Sequence, residues 1–252
     1  MGENLSPLDA CKPAGLSLAE SMTDDSMTPA VRKRLIQIGF LVLIQAAALF
    51  ASVWRMDWWN AWAYLGLYLV YLAFNAFILL GKHQELVEER AQVGEGAKGW
   101  DKIIGLIMGV GGFAILIIAG LDERFGWVGS LPLWVQVGAF ILLGLSYPLF
   151  TWAMVSNKFF STIVRIQKER GHTVQTSGPY RFVRHPGYAS LLGSYLMIPL
   201  ALGSLWAFIP TLVLVANLFL RTALEDRTLQ NELEGYQDYA ARVRYRLIPG
   251  IW

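Results

Sequence analysis

The sequence predicts an all-α, polytopic membrane bundle of about six transmembrane helices that ends in a helical hairpin. Three observations carry this prediction. Of 252 residues, 55% are hydrophobic and 16% charged, with a mean hydropathy of +0.42. Soluble domains carry roughly 25% charged residues, so the surface cannot be fully wetted. The apolar residues also fall into long blocks, as spans require. Finally, Lys and Arg are confined almost entirely to alternate links between those blocks.

The elements follow in order. Residues 1–28 hold Glu3, Asp9, Glu20, Asp24 and Asp25 without a long apolar run. They read as a disordered tail, since a secretory signal needs a basic start and a hydrophobic middle. Thr28-Pro29 has the form of an N-cap followed by a first-turn proline. The first span is expected at about 35–54 and, after RMDWWN, the second at 60–81. A charged segment, 82–102, ends in GEGAKGWDK. Spans at 103–121 and 132–152 follow, joined by LDERFGWVGSLP. Residues 156–186 are polar and basic, and Gly187 to Leu220 are 34 residues without a charge.

Those 34 residues exceed one helix across ~30 Å of hydrocarbon at about 1.5 Å per residue. Gly203-Ser204 divides them into arms at 187–202 and 205–220, with Pro199 and Pro210 adding kinks or breaks. Three regions result: the tail 1–28, a four-span region 29–155, and a C-terminal region 156–252 holding a basic loop, the hairpin and a tail. With six spans, 19 of the 21 Lys and Arg lie on one side, and only Arg55 and Arg124 on the other. The positive-inside rule puts both termini in the cytoplasm. Trp54, Trp58, Trp59, Trp127 and Trp206 mark the opposite interface.

Composition also excludes. A net charge of +2 gives no reason to expect nucleic acid as a partner. Cys11 is the only cysteine, so neither an intramolecular disulfide nor a cysteine-based zinc site can form. His83, His172 and His185 lack the spacing of a helical metal site, and no metal is expected.

The unusual residues lie in the last hundred. VRIQKERGHTVQTSGPYRFVRHPGY (164–188) packs basic residues, two tyrosines, two histidines and two X-Pro turns into one loop, and Gly178 and His185 should be non-helical. Its plain alternative is a basic loop on anionic headgroups. RTALEDRTLQNELEGYQDYAARVRYRLIPGIW (221–252) follows the last span. Arg221 and Glu225 share a helix face at its mouth, where they could be no more than a surface ion pair. Gly235 is expected to end that helix.

GHTVQTSGPYRFVRHPGY, RTALED and GYQDYAARVRYRLIP together resemble the isoprenylcysteine carboxyl methyltransferase family, over about residues 145–249. The resemblance implies an integral membrane enzyme holding S-adenosylmethionine in a cytoplasmic pocket. By that implication His172, Thr173, Val174, Gln175 and Tyr180 line the donor. His185, Pro186, Gly187 and Tyr188 form a second wall, and Glu225 also contacts the donor. Arg221, the other catalytic candidate, faces the acceptor carboxylate, with Arg246 beside it on the acceptor side. The acceptor would be a lipophilic or prenylated small molecule, or a protein C-terminus, reached among membrane lipids. The sequence departs from the family pattern at Arg165, where a glutamine is expected, and in an acidic run reduced to Glu225-Asp226.

The chemistry suits those residue types. Methyl transfer from a sulfonium to a carboxylate needs alignment and exclusion of water, and neither a metal nor a strong base. An arginine can clamp the carboxylate through two charge-assisted hydrogen bonds. Other readings stay open on sequence: a sterol-type reductase using NADPH, a phospholipid amine methyltransferase, or a membrane scaffold. No Rossmann fingerprint is present, because GVGGFA (109–114) lies inside a span where helix packing explains its glycines.

Overall fold

The computed structural model describes residues 29–91, 96, 98–127, 129 and 131–252. The tail 1–28, and with it the Thr28 cap, lies outside the described residues. Among those described, the regular structure is helical: α1 (Pro29–Val53), α2 (Trp59–Lys82), α3 (Gln84–Ala91), α4 (Gly99–Phe125), α5 (Leu133–Val155), α6 (Pro186–Leu202), α7 (Phe208–Glu232) and α8 (Tyr236–Arg242). Two short 3₁₀ turns, Lys168–Arg170 and Gly178–Arg181, interrupt the segment between α5 and α6. Helices α1, α2, α4, α5 and α7 are long and apolar enough to cross a membrane, and α6 is a shorter apolar helix.

Span positions agree with the hydropathy blocks, but helix ends do not. α4 extends beyond 103–121 at both ends, and α7 continues past Leu220 to Glu232. A span is bounded by polarity, whereas a helix stops only where its backbone bonding stops. Gly203, at φ +81°, closes α6, and Ser204 Oγ accepts the Ala207 N–H at 3.2 Å before α7 begins. The hairpin turn therefore sits at the expected residues, with α7 starting slightly later. α7 also ends before Gly235: Leu233 turns extended and packs with Tyr236 and Tyr239, and Gly235, at φ +77°, opens α8 instead.

Small residues set how closely the helices approach. α5 runs along α6 most extensively. A Cβ on Gly193 would stand 2.8 Å from Ser146 Oγ, and Ser190 Oγ donates to the Ser146 carbonyl at 2.6 Å. Where α4 crosses α1, a Cβ on Gly120 would fall 1.9 Å from Ser52 Oγ. Between helices surrounded by lipid, such contact is the main source of attraction. The buried core gathers Leu49, Trp58, Ala61, Leu116, Leu143 and Leu214 from five helices.

Polar pairs distinguish the two ends of the bundle. At one end Asn60 Nδ2 donates to Gln136 Oε1 at 2.6 Å and to the Ala201 carbonyl at 2.7 Å, while Ser204 Oγ donates to Asp122 at 2.6 Å. Arg55 meets Glu123 there at 2.7 Å. At the other end Lys98 meets Glu232, Arg165 meets Glu89, and Arg221 meets Asp101. The segment 156–185, α8 and the C-terminal residues all gather at this second end.

Candidate functional site

The site grows from one carboxylate. Asp226 on α7 is fully buried and gathers donors from four parts of the chain. Arg184 reaches it with two bonds, Nε to Oδ1 at 2.8 Å and Nη2 to Oδ2 at 2.9 Å. Arg246 Nε and Gln230 Nε2 reach Oδ2 at 2.9 and 2.8 Å, and Tyr236 OH reaches Oδ1 at 3.0 Å. His185 Nε2 lies 3.2 Å from Oδ1. A buried charge is tolerated only when paired and bonded this fully. Two backbone bonds fix the same junction: the Arg184 and His185 N–H groups donate to the Tyr245 and Arg246 carbonyls, each at 2.9 Å.

This junction holds one wall of an open cleft with a cavity volume of about 100 Å³. Nine of the predicted residues converge on it: His172, Thr173, Val174, Gln175, Tyr180, His185, Gly187, Tyr188 and Glu225. Pro186, Arg221 and Arg246 do not line it. Pro186 is the buried first residue of α6, where a missing N–H costs nothing, and its predecessor His185 is non-helical as expected. Gly178 is instead left-handed, at φ +60°, and heads the second 3₁₀ turn; a Cβ there would meet Ser156 Oγ at 2.4 Å.

Glu225 faces the cleft. Tyr188 OH donates to its Oε2, and His185 Nδ1 stands 4.0 Å from its Oε1. The His185 and Tyr188 rings stack at 5.8 Å, nearly parallel. The i,i+4 spacing of Arg221 and Glu225 does not produce an ion pair among the described residues. Arg221 turns instead to Asp101 of α4, with Nε at 2.9 Å from Oδ1 and Nη2 at 3.3 Å from Oδ2. Its Nη2 also donates to the Thr162 carbonyl at 2.8 Å, while Nη1 points toward Met108 Sδ at 3.6 Å. The guanidinium lies over the Tyr188 ring at 5.5 Å. Asp101 wins because it brings two oxygens to a buried guanidinium, whereas Glu225 is held by Tyr188.

Arg246, expected beside the acceptor, is committed to Asp226 and covers the Trp252 ring at 4.9 Å. Arg165, the departure from the family pattern, lines the cleft but is bonded to Glu89 through Nε and Nη2 and to Glu169 through Nη1. It thereby ties α3 to the loop.

His172 packs on Phe159 at 4.3 Å and accepts the Gln167 N–H at Nδ1, at 3.3 Å. An accepting Nδ1 leaves the proton on Nε2. Burial, followed by the charges of Arg165 and Arg170, pushes this imidazole down to about 4. His172 is therefore a neutral donor at neutral pH. Burial raises the Tyr180 phenol, and burial with Asp226 raises that of Tyr236, so both stay protonated. Tyr239 OH donates to the Tyr180 carbonyl at 2.7 Å, joining α8 to the loop.

Asp226, Arg184 and Asp101 were not among the sequence candidates. Arg184 and Asp226 were visible as neighbours of His185 and Glu225, but adjacency does not reveal a buried pair. Asp101 lies in the weakly patterned 82–102 segment and gave no signal.

An apolar helical bundle with five helices long enough to cross a membrane defines a multi-pass membrane protein, with a partly polar, aromatic-walled cleft at one end. Residues 138–231, from α5 through nearly all of α7, match the family model described as the isoprenylcysteine carboxyl methyltransferase (ICMT) family. Over this stretch the chain is similar to that methyltransferase family. A search of curated proteins finds no match.

Proposed function

We propose that the protein transfers a methyl group from S-adenosylmethionine, held in this cleft, to the carboxylate of a lipophilic acceptor. The observation that carries the reading is the convergence of His172–Gln175, Tyr180, His185, Tyr188 and Glu225 on one cleft at the end of an apolar bundle. The residues present suit that donor. Glu225 offers a carboxylate to a cationic or hydroxyl group, and His172 Nε2–H offers a neutral donor to a heteroaromatic edge. The rings of Phe159, Tyr236 and Tyr239 supply flat apolar walls.

When bound, S-adenosylmethionine supplies a methyl carbon already activated by its sulfonium, so the acceptor's oxygen lone pair forms the new C–O bond as the C–S pair returns to sulfur. An ionised carboxylate acceptor has no proton to lose, and no base is required of the protein. Tyr188 fixes the Glu225 rotamer, and the stacked His185 keeps that wall rigid. Asp101 fixes Arg221 over Tyr188, and the Nη1 group, which meets only the weak acceptor Met108 Sδ among the described residues, would turn to the acceptor carboxylate. Arg246 acts as a positioning residue through Asp226. The charge asymmetry supports a cytoplasmic cleft with both termini on that side.

A reductase using NADPH requires cations for a dinucleotide phosphate. The two arginines lining the cleft, Arg165 and Arg184, are both already bonded to carboxylates. Calorimetric titration in detergent with S-adenosylmethionine and with NADPH tests the reading. Heat with the first alone is expected; heat with NADPH alone overturns it.

A further inference from the structure

Arg34 and Arg90 stand apart from the cleft. Arg34 lies early in α1 and Arg90 near the end of α3, both partly buried and at the cleft end of the bundle. Both line a cavity of about 440 Å³ between α1, α2, α3 and α5. Its walls are largely hydrocarbon, from Ile38, Leu72, Leu79 and Phe150. Leu41 and Leu69 line it and are also exposed on the outer face, so it communicates with the bundle's surface. Tyr68 and Tyr71 bring phenols to the same space.

The other arginines buried near this end each hold a carboxylate: Arg165 with Glu89, Arg184 with Asp226, and Arg221 with Asp101. Among the described residues no ion pair is found for Arg34 or Arg90. The Arg90 guanidinium carbon lies 5.9 Å from the Phe150 ring centroid and 5.6 Å from that of Phe160, aromatic contacts that supply no carboxylate. Arg34 Nη1 donates to the Gln37 amide oxygen at 3.3 Å. Burial, then the like charge of Arg34, pushes the Arg90 guanidinium down to about 10. Among the described residues, these two cations beside a hydrocarbon cavity have no carboxylate partner, and such cations call for an anion.

We propose that Arg34 and Arg90 bind the phosphate of an anionic phospholipid whose acyl chain fills this cavity. Both arginines stand near helix ends, at the level where headgroups lie, and basic pockets between spans suit such headgroups. A guanidinium meets phosphate oxygens two at a time. The cavity shares no lining residue with the donor cleft; Phe160, which lines the cleft, stands between that cleft and Arg90.

Native mass spectrometry of delipidated full-length protein, titrated with phosphatidylglycerol or phosphatidylcholine, tests the site without any methyl transfer. Parent protein is expected to bind phosphatidylglycerol at least tenfold more tightly. The Arg34→Gln/Arg90→Gln variant should lose that preference, at about fivefold per cation. Arg55→Gln, at the opposite end, should retain it, and Leu72→Trp, which fills the cavity, should weaken both lipids. Equal affinities for the two lipids in the parent overturn the proposal, and this comparison needs no variant to fold. An undiminished preference in the double variant overturns it too. Competitive displacement of phosphatidylglycerol by a farnesylated carboxylate would do the same, by assigning the pair to the acceptor.

Discussion

At the residue scale, Arg221 and Glu225 separate two kinds of contribution. Glu225→Gln removes a charge from the cleft while keeping its shape, so S-adenosylmethionine affinity is expected to fall about tenfold or more, as for one lost charge-assisted contact. Arg221→Lys keeps the charge but not the planar fork. It should leave donor affinity near the parent's and cut single-turnover methyl transfer; parental turnover in this variant would remove Arg221 from the acceptor side. Arg221→Ala is less informative, because it strands the buried Asp101. His172 gives a pH signature. Its folded value, about 4, lies below the ordinary ~6.5, so the unfolded chain binds the extra proton between them. Its contribution to stability is full above about 6.5 and lost as pH falls toward 4. Melting temperatures of parent and His172→Gln should therefore converge on acidification through this window, and parallel profiles would count against a depressed imidazole.

At the scale of elements, Asp226 is where α6, α7, α8 and the C-terminal segment are tied. Asp226→Asn keeps the volume but leaves two arginines short of a counter-charge, which should cost roughly 3–5 kcal/mol. Denaturation in detergent measures this loss, and donor binding should weaken in parallel because Arg184 and His185 share the junction. Gly120→Leu is a second test: its side chain has no room beside Ser52, so the α1–α4 crossing should separate and the melting temperature drop by several degrees. The elements themselves were largely legible. Apolar blocks gave the spans, and Gly203-Ser204 gave the hairpin turn. The end of α7 was not legible, because Leu233 leaves the helix to join an aromatic cluster whose partners come from elsewhere in the chain. For the same reason the spacing of Arg221 and Glu225 suggested a local pair, while the real partner, Asp101, is 120 residues away.

At the scale of the molecule, charge placement makes the orientation testable. In a Cys11→Ser background, a cysteine introduced at Lys98 should resist an impermeant thiol reagent in intact cells and react once the membrane is opened. Labelling from outside would reverse the orientation. The loop's contribution to the cleft was legible through the resemblance carried by GHTVQTSGPYRFVRHPGY, not from spacing alone. Neither the Asp226 junction nor the Arg34–Arg90 pair was, since each depends on segments that meet only when the bundle is packed.

The many donors on Asp226 have a consequence for how the cleft is made. A carboxylate satisfied by one partner at a time would let its walls form piecemeal. Here the withdrawal of any strand of the junction exposes the same buried charge, so loss of one wall destabilises the others. Opening should therefore be concerted: amide protons of 184–188, 226–230 and 236–246 should exchange with deuterium at one common rate. The cleft would then be either whole or absent in each molecule, with partly built sites too rare to capture a donor they cannot align.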